Sequence, residues 1–156
     1  MRPYPGIGTL ETPRDLLEKL RHDLARMHSD RGNSYAAFDF FVTAEHMIDW
    51  VLPGEANRQQ RRDLRSKQIL LQIASHIANG SKHFITEARH HHSVQHVDVA
   101  YSSEVGLDTS VVGPLVLQVY VVLDGDAARA YGRTVAATDL AEKIVAYWGS
   151  YVEGLV

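Results

Sequence analysis

The sequence predicts an α+β fold: a mainly helical bundle with a small antiparallel β-sheet inserted before a C-terminal helix. Three observations carry this. Apolar residues recur at helical spacing up to about residue 89. After that point the pattern switches to alternation and to a β-prone run between residues 94 and 123. Helical spacing then returns from about residue 135. Runs of helix and strand that are segregated rather than interleaved belong to α+β architecture.

Residues 1–11 hold several glycines and prolines and read as an irregular arm. Thr12-Pro13-Arg14-Asp15 is a helix start, with threonine as cap, proline in the first turn and an acid at the positive helix end. Leu16, Leu17, Leu20, Leu24 and Met27 supply the apolar stripe of a helix over about 13–29. Asn33 or Ser34 caps a second helix over Tyr35–Val51, whose core stripe is Ala37, Phe40, Phe41, Ala44, Met47, Ile48 and Val51. Pro53-Gly54 ends it. A third helix is expected from about Glu55 to about Thr86, which completes a three-helix region over 13–89. Gly80 inside it costs roughly 1 kcal/mol against alanine, and a close approach by another backbone would account for it. Val97, Val99 and Tyr101 alternate with His96, Asp98 and Ala100 as a strand, followed by a loop over 102–113. Leu115–Leu123 reads as a strand buried on most of both faces. Asp124-Gly125 is a hairpin signal, and 128–132 a third strand or a connection, so the antiparallel strands fall within 94–132. Leu140, Ile144, Tyr147, Trp148 and Tyr151 space out a C-terminal helix over 135–153. The expected core contains Leu20, Phe40, Ala44, Met47, Ile77, Phe84, Val119, Val121 and Trp148.

The 156 residues suit a single domain with its own core, and 45% apolar, 8% aromatic and 22% charged residues is ordinary globular composition. No apolar run is long enough to span a bilayer, and the N-terminus lacks the apolar stretch of a signal peptide, so a cytoplasmic location without membrane contact is expected. The absence of cysteine excludes disulfides, thiolate metal ligands and a cysteine nucleophile. A formal net charge of −3 gives no global attraction to nucleic acid. There is no phosphate-cradling glycine loop and no nucleophile elbow, and no cofactor is implied.

Nine histidines are many for this length. His90-His91-His92 reads as a polar linker, because adjacent side chains rarely converge. His76 and His83 lie two helical turns apart, about 10 Å along the axis, too far to chelate one ion unaided. A metal site built from His46, His76 and His83 would need help from Glu45 or Asp49 on the neighbouring helix, and no metal is expected. Tyr35, Asp39, Thr43, His46 and Trp50 line the second helix opposite its core stripe, and His76, Asn79 and His83 share one face of the third. Polar residues mixed with aromatics suit an interface or a groove. The basic run Arg58–Lys67 is a solvated face or a phosphate contact. The candidate binding face is therefore His76, Lys82, His46, Asp39, Trp50 and Arg65.

The segments Ala37–Trp50 and Ile73–Phe84 resemble bacterial HEPN-like helical-bundle proteins in motif style and helical pattern. Active members of that superfamily are metal-independent RNases that work as dimers and carry an arginine, a polar residue, three further residues and a histidine on one helix. Here the stretch is Ala78-Asn79-Gly80-Ser81-Lys82-His83. Asn79 and His83 match the polar residue and the histidine, while Ala78 stands in the arginine position. The resemblance implies a homodimer through the second and third helices and a non-catalytic module for a nucleic acid, nucleotide or protein partner. The alternative it carries is an RNase with His83 as acid–base, aided by Asn79, and with its arginine supplied from elsewhere, for example Arg58, Arg65 or a dimer mate. The other role open to Asn79 and His83 is structural, through hydrogen bonds that fix helix packing.

Overall fold

The structure, a computed structural model, describes residues 7–82, 92–105 and 112–154. The first helix, α1 (Pro13–Ser29), begins in a reciprocal cap. The Thr12 hydroxyl accepts the Asp15 amide at 3.2 Å, and the Asp15 carboxylate accepts the Thr12 amide at 2.8 Å. Helix α2 (Ser34–Val51) is capped by Asn33, whose side chain accepts the Ala36 amide at 3.1 Å.

The long helix expected over 55–86 is broken. A 3₁₀ turn at Glu55–Asn57 leads into α3 (Arg58–Lys67), and α4 (Ile69–Lys82) follows after a single extended residue, Gln68, at φ −122 and ψ 106. No glycine or proline marks the break. It is stabilised by hydrogen bonds: Gln72 Nε2 donates to the carbonyls of Arg65 and Ser66 at 3.1 and 3.0 Å, satisfying the open end of α3. The Gln68 carbonyl accepts the amides of Leu71 and Gln72, which starts α4. Residues 83–86 of the expected helix, with Phe84, lie outside the described residues. Among the described residues nothing stands within 4 Å of where a Gly80 Cβ would be, so close packing is not the reason for that glycine.

Strand β1 (Val94–Val105) pairs antiparallel with β2 (Val112–Leu123), and β2 with β3 (Thr134–Ala136), in the order β1-β2-β3. The strands run into the segment expected as a loop over 102–113, of which 106–111 lies outside the described residues. The burial expected for 115–123 holds only for its second half. Val119, Val121 and Leu123 are buried, whereas Leu115 is 67% and Leu117 39% exposed, because the helices cover one end of the hairpin. Asp124 does not turn a hairpin. Its carboxylate accepts the Gly125 amide and caps a short helix, α5 (Gly125–Tyr131), where a strand or connection was expected. Asp-Ala-Ala-Arg-Ala favours helix, and an aspartate suits a helix cap as well as a turn. The last helix, α6 (Ala137–Glu153), starts after 135 because residues 134–136 pair with 120–122 as a strand.

The architecture is α+β and mainly helical. Leu20, Phe40, Ala44, Met47, Ile77, Val119, Val121 and Trp148 are all buried in one core shared by helices and sheet. Among the described residues no helix is long and apolar enough to cross a membrane.

The α1 cap yields a pH prediction. The Thr12 hydroxyl, then the amides of Glu11 and Thr12, hold the Asp15 carboxyl below its ordinary 3.8. A carboxyl whose folded pKa is depressed stabilises the fold above its unfolded pKa and loses that contribution as pH falls through the folded pKa. Asp15→Ala is therefore expected to melt below the wild type at neutral pH. Thermal melts of the two proteins are expected to converge as pH falls below the ordinary carboxyl range.

Candidate functional site

The polar stripe of α2 is not one open face. Helix α1 packs over its middle and forms a buried ionic cluster that the sequence reading missed. Asp23 is 1% exposed. Lys19 Nζ donates to its Oδ2 at 2.6 Å and to Thr43 Oγ1 at 2.9 Å, and Thr43 Oγ1 lies 3.0 Å from the same carboxylate oxygen. Arg26 donates to Asp39 Oδ2 at 2.8 Å, a bond that raises the arginine pKa above its usual range. Thr43 is thus buried and Asp39 ion-paired, while Tyr35 at 81% exposure stands clear. His46, Trp50 and Asp39 border a depression of about 400 Å³ together with Leu10, Lys19 and Val42.

A second groove, of about 800 Å³, opens where α3 meets α4. Glu45 from α2, Arg62, Arg65 and Ser66 from α3, and Gln72, Ser75 and Asn79 from α4 line it. The extended Gln68 turns α3 away from the line of α4 and leaves this space between them. Gln72, Ser75 and Asn79 share it because residues three and seven apart lie on one helix face. Arg65 donates to Glu45 Oε1 at 2.7 Å, and Ser75 Oγ donates to the same oxygen at 3.3 Å. Asn79 Nδ2 donates to the Ser75 carbonyl at 2.8 Å and to Ser75 Oγ at 3.2 Å. The buried Arg65 Nε has no acceptor among the described residues. Arg62 is exposed, and no carboxylate pairs with it among the described residues.

Arg65, expected on the binding face, and Asn79, expected as a partner of His83, meet in this groove, whereas Asp39, His46 and Trp50 of the expected binding face border the other depression. His76 lies on neither. Its Nδ1 accepts the Val94 amide at 3.0 Å and lies 3.4 Å from Ser93 Oγ, which fastens the start of β1 to α4. The Lys82 side chain and all of His83 lie outside the described residues. Among the described residues no three histidine, aspartate or glutamate side chains form a group able to hold a metal ion.

Glu45 was expected only as a metal ligand, and Arg62, Ser66, Gln72 and Ser75 were not singled out. The i, i+3, i+7 spacing of Gln72, Ser75 and Asn79 was the available signal, masked by Ser75 falling nearer the core side of α4. The groove offers two guanidiniums against one carboxylate, with four neutral hydrogen-bonding side chains around them. Such a set suits an anion with several oxygens, because guanidinium geometry matches phosphate. Compared with known proteins, the chain matches no family model, no curated protein and no solved structure.

Proposed function

We propose that this chain is a non-catalytic, HEPN-like module that binds a phosphate-bearing ligand, a nucleotide or a nucleic acid strand, in the groove between α2, α3 and α4. The observation that supports this most is the convergence of Arg62 and Arg65 with Asn79 in one groove. Asn79 is the polar position of the HEPN-like resemblance. Arg65 brings a guanidinium to it from a separate helix, where Ala78 offers none.

The test is a fluorescence titration with a short single-stranded RNA and with a nucleoside diphosphate. Arg62→Ala and Arg65→Ala are each expected to weaken binding by about tenfold or more, the scale of one charge-assisted hydrogen bond. For the RNA, each lost phosphate contact is expected to reduce the salt slope by about 0.7. Binding that ignores both substitutions would overturn the reading, as would no binding of either probe.

A second reading is favoured by the same Arg65–Asn79 neighbourhood: a metal-independent RNase with His83 as acid–base. Its unperturbed pKa near 6.5 suits both proton abstraction and proton donation. Cleavage of the RNA by wild type but not by His83→Ala, with EDTA present and stability unchanged, would replace the non-catalytic reading with this one.

A further inference from the structure

Among the described residues, strand β1 has a neighbour on one side only. Its register with β2 sets Val97 against Val121, Val99 against Val119 and Tyr101 against Leu117. These six side chains share one face of the sheet. On β2 that face is sealed by the helices, with Val119 3% and Val121 0% exposed. On β1 the helical layer has run out: Val97 is 42%, Val99 37% and Tyr101 68% exposed. With Leu115 and Leu117 they leave roughly 500 Å² of apolar side chain open, at the upper end for a monomer surface.

Two hydrogen bonds fix which backbone groups face outwards. The Val119 amide points away from β1 and donates to the Arg31 carbonyl at 2.8 Å. Val99 and Val119 are therefore a non-hydrogen-bonded pair, and the Val99 amide must point to the free edge. It does, and it donates to the side chain of its own neighbour Asp98 at 2.7 Å. Val97, Val99 and Tyr101 thus turn their N–H and C=O groups away from β2, along an apolar edge, the arrangement that templates addition of another strand.

We infer that a second copy of this chain adds to this edge, pairing β1 with β1 antiparallel about a two-fold axis at Val99 and making a six-stranded sheet. Such an axis stands perpendicular to the sheet, so both helical layers lie on the same side. It sets Val99 opposite Val99 and Val97 opposite Tyr101 of the partner copy, closing both apolar stripes against each other. On the other face it sets His96 opposite Ser102 and Asp98 opposite Ala100, so no like charges meet directly, as a self-complementary interface requires. The same patch on both copies meets itself across the axis, which makes the interface isologous. The Asp98 carboxylate releases the Val99 amide to the partner's carbonyl. This interface is independent of the groove and differs from the helical one implied by the HEPN-like resemblance.

The test uses mass and register. Light scattering of the full chain at about 100 μM, well above a micromolar Kd, is expected to give twice the 17.5 kDa protomer mass. Tyr101→Lys and Val99→Lys are expected to return it to 17.5 kDa with circular dichroism unchanged. Trp50→Lys, on α2, is expected to leave the dimer intact. The chain has no cysteine of its own, so Val99→Cys is expected to cross-link to a dimer under mild oxidation, since paired strands bring Cα atoms to about 5.5 Å. Asp98→Cys is expected not to cross-link. A monomeric wild type would overturn the inference. So would a dimer split by Trp50→Lys but not by Tyr101→Lys, or cross-linking at 98 and not at 99.

Discussion

Trp148→Ala is expected to lower the free energy of unfolding by about 4 kcal/mol, whereas Trp148→Phe is expected to cost about 1 kcal/mol or less. Trp148 is completely buried and is the largest side chain in the core. Its ring meets Tyr147 edge-on at 5.1 Å and Tyr151 at 5.5 Å. Truncation to alanine removes those contacts and leaves a cavity between α6 and the rest of the bundle. The indole Nε1–H has no acceptor among the described residues, so the wild type already carries the penalty of a buried, unpaired donor. Phenylalanine keeps most of the packing and removes that donor, and the two effects offset. Urea denaturation of the three proteins measures both differences. A phenylalanine variant as unstable as the alanine one would show that the indole N–H is bonded after all.

Asp23→Ala is expected to cost about 3 kcal/mol, the lower end for breaking a buried ion pair. Asp23 is the acceptor at the centre of the α1–α2 contact, taking Lys19 at 2.6 Å and lying 3.0 Å from the Thr43 hydroxyl. The loss stays near that lower end because the Lys19 side chain is 40% exposed and regains water when its partner is removed. Thr43 also keeps the Asp39 carbonyl at 2.9 Å. The double variant Lys19→Met with Asp23→Leu is expected to recover most of the stability, since two apolar groups of similar volume need no partner. Denaturation midpoints of the single and double variants test this. Equal losses in both would mean that the cluster does more than satisfy its own charges.

The helices that begin with a cap and carry a regular apolar stripe were legible in the sequence. α1 and α2 follow the reading to within a residue, because Thr12, Pro13 and Asn33 signal their starts within a few positions of the chain. The break at Gln68 was not legible. The bonds that stabilise it come from Gln72 reaching back to carbonyls six and seven residues earlier, and no local composition announces that. Asp124-Gly125 misled because one carboxylate can serve a hairpin or a helix start, and the sequence beyond it decided for helix. The sheet run was read as buried throughout because valine and leucine content reports β-propensity, not how far the helices extend over the hairpin. For the candidate site, Arg65 and Asn79 were singled out separately. That they share a groove depends on the bend at Gln68 and on Glu45 reaching both Arg65 and Ser75.

The composition of α3 has a consequence for how its groove responds to occupancy. None of its residues is fully buried, and Leu64 is its apolar anchor against the core. Arg61 ties it to Asp49 at 3.2 Å and to the carbonyls of Leu52 and Gly54, and Arg65 ties it to Glu45. A segment held by partly exposed charges opens at less free energy than one held by a core, and its amide protons exchange with solvent sooner. Its neighbour α4 buries Leu71, Ile73, Ala74 and Ile77 and stands at the opposite extreme. One wall of the groove therefore opens at less free energy than the other. A ligand that bridges Arg62 to Asn79 fastens the loose wall to the firm one. Its affinity then includes the free energy of closing α3, and anything that steadies that helix beforehand strengthens binding without touching the ligand.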